Sequence, residues 1–110
     1  MAAKFEVKKS TNGQYMFNLK AANGEFIFTS ELYHEKGSAD DGIASVRQHC
    51  AEDGMYERSR SSDGQYYFVL RASNGQTIGR SELYKAKASM EKGIASVKRN
   101  APNARAVEGD

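Results

Sequence analysis

The stretch GQYMFNLKAANG (residues 13–24) returns 51 positions later as GQYYFVLRASNG (residues 64–75). In both copies tyrosine, phenylalanine, leucine and alanine follow at every second position between two turn signals, each an Asn-Gly or Asp-Gly pair. Alternation with a period of two predicts a β-strand with one buried face, and these pairs between alternating runs predict hairpins. The stretch therefore predicts the middle strand of a three-stranded antiparallel unit that is present twice.

The repeat extends well beyond this stretch. Residues 5–50 align with residues 56–101 without a gap and are identical at 22 of 46 positions. Such self-similarity at a fixed period indicates a duplicated structural unit. The register continues into the tail, where Val107-Glu108 falls on Tyr56-Glu57. We interpret residues 1–110 as a single domain made of two repeats, about 4–54 and 55–110.

The hairpin loops decide which residues are buried. A two-residue loop and a three-residue loop bring opposite strand faces together. With three residues and a left-handed glycine, Val7 faces Phe17 and Ile27 faces Leu19, which collects the apolar side chains on one face. The buried face is then predicted to consist of Phe5, Val7, Tyr15, Phe17, Leu19, Ala21 and Ile27 in the first copy, and of Tyr56, Tyr66, Phe68, Leu70, Ala72 and Ile78 in the second.

An amphipathic helix is predicted after the third strand of each copy. Apolar or small residues recur at i, i+3, i+4, i+7 and i+11 from Ala39 to Cys50 and from Met90 to Ala101. Ser38 and Ser89 are the predicted N-caps. The predicted helices lie near 38–50 and 89–101, and the predicted strands near 4–10, 14–21, 25–30, 55–61, 65–72, 76–81 and 104–108.

A glycine lies on each buried helical stripe, at Gly42 and Gly93. Glycine in a helix interior costs about 1 kcal/mol relative to alanine, so its place there indicates a close approach of helix and sheet. One such unit offers a single helix to three strands and would be marginally stable alone. We therefore expect an α+β fold in which two units share one core and both helices cover one face of a single, largely antiparallel sheet.

The duplicated pattern Gly-x-Tyr-x-Phe-x-Leu-x-Ala-x-Asn-Gly, Ser-Glu-x-Tyr and Gly-Ile-x-Ser-Val resembles the YegP-like family of small bacterial proteins. The resemblance covers about residues 4–108. It implies a repeated β-β-β-α-β motif, two of which form one sheet and exchange their last strands. It implies no particular activity, since the family has no established function.

The reactive side chains do not form a recognisable site. His34, His49 and Cys50 correspond to lysine, asparagine and alanine in the second copy, and two histidines with one cysteine show no metal-ligand spacing. We therefore predict no catalytic residue, no metal site and no cofactor. The net charge of +2 excludes a polycationic tail. The lone cysteine and the absence of a signal-peptide pattern lead us to expect a cytoplasmic protein without a membrane partner.

The most distinctive polar motif is Ser-Glu-Leu-Tyr, at residues 30–33 and 81–84. One interpretation makes it a duplicated ligand-contacting corner of a small enzyme or ligand-binding protein. The favoured interpretation is structural: serine and glutamate end the third strand, and leucine and tyrosine pack over the core. The residues of this weaker candidate site are Ser30, Glu31, Tyr33, Ser81, Glu82 and Tyr84.

The sheet face away from the helices is the leading candidate site. Identity between the copies is high on the predicted buried face and low on this other face, where phenylalanines stand at two alternate positions. Apolar residues on a helix-free face require a cause, which is self-association, a protein partner, single-stranded nucleic acid or a covering segment. We favour a non-enzymatic interaction module that uses this face, with the candidate residues Met16, Lys20, Phe26, Phe28, Tyr67, Val69 and Arg71.

Overall fold

The computed structural model describes residues 3–108. Three strands and a helix follow one another twice, and a seventh strand ends the chain. The elements are β1 (Lys4–Lys9), β2 (Tyr15–Lys20), β3 (Phe26–Ser30), α1 (Lys36–His49), β4 (Tyr56–Arg60), β5 (Tyr66–Arg71), β6 (Thr77–Ser81), α2 (Lys87–Asn100) and β7 (Arg105–Glu108). A one-turn 3-10 helix follows each α-helix, at Asp53–Met55 and Ala101–Asn103.

The seven strands form one sheet in the order β4-β5-β6-β3-β2-β1-β7. All neighbouring strands are antiparallel except β1 and β7, which are parallel. Strand β4 follows the first helix but pairs with β5 of the second repeat, and β7 follows the second helix but pairs with β1 of the first. The predicted α+β class, the single sheet and the exchange of last strands are confirmed.

The two repeats meet where β3 pairs with β6. Thr29 lies opposite Arg80, which is its own counterpart 51 positions along the chain, so a local two-fold axis passes between them. On one side of the sheet Phe17 packs against α1 at Gly42, and Phe68 packs against α2 at Gly93. We call this helix-covered side the inner face, and the opposite side the outer face.

All four hairpins have the predicted three-residue loop. In the first, the backbone N–H of Ser10 donates to Gln14 O over 2.6 Å, and the N–H of Gly13 donates back to Ser10 O over 3.1 Å. The third loop residue is a glycine with φ between 84° and 87° in every case, a conformation that other residues adopt only with strain.

The core is close to the predicted one. Every residue of the two helical stripes is buried, and most of the predicted sheet positions are buried with them. Tyr15, Ala21, Tyr66 and Ala72 lie at its margin and are partly buried. One cluster of buried side chains therefore joins both repeats.

A β-bulge overturns one predicted register. Leu19 faces Phe28 rather than Ile27, and Lys20 faces Phe26, so Ile27 is an extra residue in β3. The extra residue lets two successive side chains enter the core, where Ile27 is 5% and Phe28 0% exposed. The placement of Phe28 on the outer face is therefore wrong, because strict alternation does not anticipate an inserted residue.

Both helices begin two residues before the predicted serine caps. The residues that precede them, Glu35 and Ala86, have extended backbones, and neither end has a side-chain cap. Ser38 is already inside the first turn, where its N–H donates to Glu35 O over 3.1 Å. The prediction of Ser38 and Ser89 as N-caps is wrong, because the chain turns into the helix soon after the bridge between Tyr33 and Tyr15.

Within residues 3–108, no helix is both long enough and apolar enough to cross a membrane.

Candidate functional site: the outer sheet face

The outer-face candidates fall into two groups, one in each half of the sheet. Met16 and Lys20 lie on β2, whereas Tyr67, Val69 and Arg71 lie on β5, and β3 and β6 separate the two strands. The groups therefore do not form one continuous apolar platform. Val69 is only 7% exposed.

In the first half of the sheet, positive side chains surround Glu6. The Nζ atoms of Lys20, Lys8 and Lys4 lie 3.0, 3.3 and 3.8 Å from its carboxylate. The contact with the Lys20 ammonium contributes most to holding the pKa of Glu6 below its usual value. Lys20 Nζ also lies 4.8 Å from the ring centroid of Phe26, a cation–π distance. Phe26 is 44% exposed, but an ammonium group already occupies a face of its ring.

In the second half, Arg71 is held by its neighbours. Its guanidinium lies 2.7 Å from the carboxylate of Glu57 and donates to Thr77 Oγ1 over 2.9 Å. This pair leaves little free positive charge beside Tyr67, which is partly buried.

Two grooves of about 400 Å³ each meet at the local two-fold axis. Arg80 lines both of them and is exposed, and it makes no ion pair with any other residue between 3 and 108. Leu32 lines one groove and Leu83 the other, and these side chains are 52% and 54% exposed. The remaining lining residues are Thr29, Ser30 and Glu31 on one side, and Ser61, Tyr67, Ser81 and Glu82 on the other.

Leu32, Leu83 and Arg80 are not among the candidate site residues predicted from the sequence. The two leucines were expected to pack over the core, and that part of the structural interpretation is wrong because the chain leaves the sheet after Ser30 and Ser81. The sequence does carry a signal for the exposure of the two leucines: each follows the predicted end of a strand, where the alternation between buried and exposed positions no longer applies. The sequence carries no comparable signal for Arg80, because its counterpart in the first copy is the uncharged Thr29.

The serines of the repeated motif have a structural role. Ser30 Oγ accepts the backbone N–H of Phe17 over 2.9 Å and donates to Glu31 O over 2.8 Å. Ser81 makes the same two bonds, to Phe68 and Glu82, over 3.0 and 2.8 Å. Both serines are 7% exposed. They tie the strand end to the neighbouring strand, as the structural interpretation expects.

The tyrosines of the motif lie against the helices. A Cβ atom on Gly42 would stand 2.5 Å from Tyr33 Oη, and one on Gly93 would stand 2.5 Å from Tyr84 Oη. The glycine therefore leaves the space that the tyrosine hydroxyl fills. Burial is the larger cause that raises the pKa of both tyrosines above the usual value.

The ligand-binding interpretation of the first corner stays a prediction. Glu31 and Tyr33 line a cavity of about 490 Å³ together with Asp41, but Ser30 lies outside its lining. In the second copy Ser81 and Glu82 line an outer-face groove, while Tyr84 packs against α2. The structure does not gather serine, glutamate and tyrosine into one cavity in either copy.

His49 and Cys50 are both buried near the end of α1. His49 Nδ1 lies 2.9 Å from Ser45 O and acts as donor, while Nε2 accepts the N–H of Ser73 over 3.4 Å. The ring therefore joins α1 to the β5–β6 turn. Burial raises the pKa of the Cys50 thiol, which disfavours the reactive thiolate. No three His, Cys, Asp or Glu side chains between residues 3 and 108 are grouped to hold a metal ion.

Comparison with known proteins gives the same repeat and the same fold. The sequence matches the family described as Domain of unknown function (DUF1508) twice, over residues 10–57 and 61–108. It is 53% identical over 104 residues to UPF0339 protein PA0329 of Pseudomonas aeruginosa, covering 94% of each chain. It is 52% identical over 100 residues to UPF0339 protein YegP of Escherichia coli strain K12, covering 91% of each chain.

Two solution NMR structures superpose closely. The YegP protein of unknown function from E. coli gives a TM-score of 0.94 at 48% identity, over 99% of this chain and 94% of that one. UPF0339 protein SO3888 from Shewanella oneidensis gives 0.92 at 39% identity, over 98% and 92% of the two chains. The chain, which matches DUF1508 twice, therefore belongs to the YegP-like UPF0339 family, and no specific function is assigned to these relatives.

Proposed function

We propose that the protein is a non-enzymatic interaction module that binds a partner protein on its outer face. One observation carries the proposal: two half-exposed leucines, Leu32 and Leu83, line adjoining grooves that share Arg80, which has no ion-pair partner in the described part of the chain. Arginine beside exposed apolar side chains is a combination enriched at protein interfaces. We place this activity in the cytoplasm, in keeping with the single free thiol of Cys50.

Single-stranded nucleic acid is the less favoured ligand. Base stacking requires open aromatic faces, but Lys20 and Lys8 lie 4.8 and 6.0 Å from the ring centroid of Phe26. The carboxylates of Glu31 and Glu82 line the central grooves and would repel phosphates beside Arg80. A protein segment can place a carboxylate on the arginine and apolar side chains on the leucines.

The test introduces a photo-crosslinking residue in the living cell at position 80, on the outer face. The matched control carries the same residue at position 44, which is exposed on α1. We expect a discrete crosslinked partner from position 80 that is absent from position 44. The variant Leu32→Ser/Leu83→Ser is expected to lose that product, because it removes the apolar contacts without opening the core.

Binding is then measured with the purified partner and, in parallel, with single-stranded RNA and DNA at physiological salt. A partner that binds the wild type and the double-serine variant equally would contradict the proposal. Tight RNA binding that requires Arg80 would contradict the proposal and would identify single-stranded nucleic acid as the ligand of the outer face. Identical crosslinked products from the two positions would also rule out the outer face as the specific surface.

A further inference from the structure

The two ends of the sheet are not equivalent. At one end, β7 pairs in parallel with the edge of β1 that faces away from β2, which sets Phe5 opposite Ala106 and Val7 opposite Glu108. At the other end is β4, the counterpart of β1, which pairs only with β5 among the described strands. The edge of β4 therefore presents backbone N–H and C=O groups equivalent to those that form hydrogen bonds with β7 on β1.

Matching grooves run beside these two edges. The groove at β1 is lined by Val7, Lys8, Lys9, Tyr15 and Lys36, and the groove at β4 by their counterparts Arg58, Ser59, Arg60, Tyr66 and Lys87. The β1 groove also contains Glu108 of β7, whose carboxylate lies 3.9 Å from Lys36 Nζ. At the β4 groove no strand between residues 3 and 108 takes the place that β7 has at β1, and this groove measures about 390 Å³, against about 250 Å³ at β1.

We propose that the β4 edge binds an extended segment of a partner protein that places one acidic side chain opposite Arg58 and pairs parallel to β4 as β7 pairs with β1. Strand addition of this kind takes its affinity from main-chain hydrogen bonds and its specificity from alternate side chains. The internal strand β7 is the template for the ligand. This surface is separate from the outer-face grooves, so neither proposal depends on the other.

The charges of the groove favour an acidic side chain in the segment. Arg58 is already neutralised, with guanidinium contacts of 2.6 Å to Glu91 and 3.0 Å to Asp53. Arg60 lies 4.9 Å from the ring centroid of Tyr66, and neither it nor Lys87 forms an ion pair with any residue between 3 and 108. These two cations stand where Lys9 and Lys36 stand around Glu108.

The register of β7 gives the order of side chains in the ligand. On β1, Ala106 lies opposite Phe5 and Glu108 opposite Val7, and the counterparts of Phe5 and Val7 on β4 are Tyr56 and Arg58. The ligand is therefore expected to carry a small residue opposite Tyr56 and an acidic residue opposite Arg58. Both project to the inner side of the edge, towards Lys87. A second copy of β4 is a poor occupant, because a second β4 strand would bring another Arg60 to this groove and supplies no carboxylate in the place that Glu108 takes beside β1.

The experiment uses the full ¹⁵N-labelled chain and a peptide with the sequence of residues 101–108, APNARAVE. We expect amide shifts that increase with peptide concentration along Tyr56–Arg60. A peptide with lysine in place of its glutamate is expected to bind at least tenfold more weakly. The variant Arg60→Glu/Lys87→Glu is expected to lose the shifts, whereas Lys9→Glu, at the counterpart of Arg60, is expected to keep them.

Three outcomes would overturn the inference. One is the absence of shifts in β4 at millimolar peptide. Another is a set of shifts confined to β1 and β7, which would mean that the peptide exchanges with the internal strand. The third is equal binding of the glutamate and lysine peptides. The Leu32→Ser/Leu83→Ser variant should bind the peptide normally, so a failure here is distinguishable from a failure of the outer-face proposal.

Discussion

Tyr33 and Gly42 are in contact, and each accounts for the presence of the other residue type at its position. The tyrosine belongs to the corner after β3 and the glycine to the buried stripe of α1, and they meet because the hydroxyl occupies the place of a missing Cβ. Tyr84 and Gly93 repeat the arrangement. Glycine weakens a helix, so its presence in both copies indicates that this contact is part of how helix and sheet dock.

The first prediction concerns Gly42→Ala. Its Cβ would lie 2.5 Å from Tyr33 Oη and 2.9 Å from the fully buried ring of Phe17. Overpacking of this kind costs about 1–3 kcal/mol, which outweighs the gain of about 1 kcal/mol in helix propensity. We expect a lower free energy of unfolding, measured by urea denaturation. Gly93→Ala should be milder, because its Cβ would lie 3.3 Å from the ring of Phe68, against 2.9 Å between a Cβ on Gly42 and the ring of Phe17.

The matched control is Gly37→Ala, in the first turn of the same helix, where a Cβ meets nothing within 4 Å. This variant should be as stable as the wild type or more stable. The double variant Gly42→Ala/Tyr33→Phe should regain part of the loss, since the hydroxyl is gone. Equal stability of Gly42→Ala and Gly37→Ala would show that the tyrosine moves aside without cost.

At the scale of elements, the repeated pattern predicts all seven strands and both α-helices, because alternation and helical periodicity directly reflect which side is buried. Two features lay outside that pattern. The bulge at Ile27 inserts a residue, which moved Phe28 from the predicted outer face into the core. The helix starts were set two residues earlier than the serine signal, by the backbone of the preceding corner rather than by a capping side chain.

The second prediction concerns the ion-pair cluster that joins β4 to its neighbours. Arg58 and Lys98 together hold the pKa of Asp53 at about 2, with the hydrogen bonds from Arg58 contributing most. A carboxyl with a depressed folded-state pKa stabilises the fold above its unfolded value of about 4, and this contribution is lost as the pH falls towards 2. The fold should therefore lose stability between about pH 4 and pH 2.

In Arg58→Val, which installs the residue of the first copy, the loss between those pH values should be smaller. Glu91 supports this expectation, since the hydrogen bond from Arg58 also lowers its pKa. The measurement is the urea midpoint at pH 5, 3.5 and 2.5. Arg99→Ala, which removes an exposed arginine of α2, is the control and should keep the wild-type pH dependence. The prediction is wrong if the two variants lose stability in parallel.

At the scale of the whole molecule, the duplication allows the fold to be predicted from the sequence, but it allows only part of the candidate site to be predicted. The outer face was identified because the copies differ there, and Met16, Tyr67 and Phe26 do lie on it. The grooves were not foreseeable, because they form where two strands from different repeats meet. Arg80 acquires its central position only through that pairing with Thr29.

The same axis also explains the largest difference between the copies. Phe28 and Gly79 are counterparts, and only one large side chain fits between the repeats. The ring centroid of Phe28 lies 6.5 Å from that of Phe17 and 6.5 Å from that of Phe68, so one ring serves both halves of the core. A Cβ on Gly79 would lie 2.6 Å from this ring and would also clash with the backbone oxygen of Thr29.

The third prediction follows from this shared space. Gly79→Ala should lower the free energy of unfolding by about 2–3 kcal/mol, at the upper end for overpacking, because both a fully buried ring and a strand backbone must move. Gly54→Ala, where a Cβ meets nothing within 4 Å, is the control. Phe28→Leu removes only the clash with the ring, so the double variant should be more stable than the sum of the two single losses, with a coupling of about 0.5–3 kcal/mol. Strict additivity in this cycle would mean that the two positions do not share one space, and that the centre of the duplicated fold tolerates two side chains.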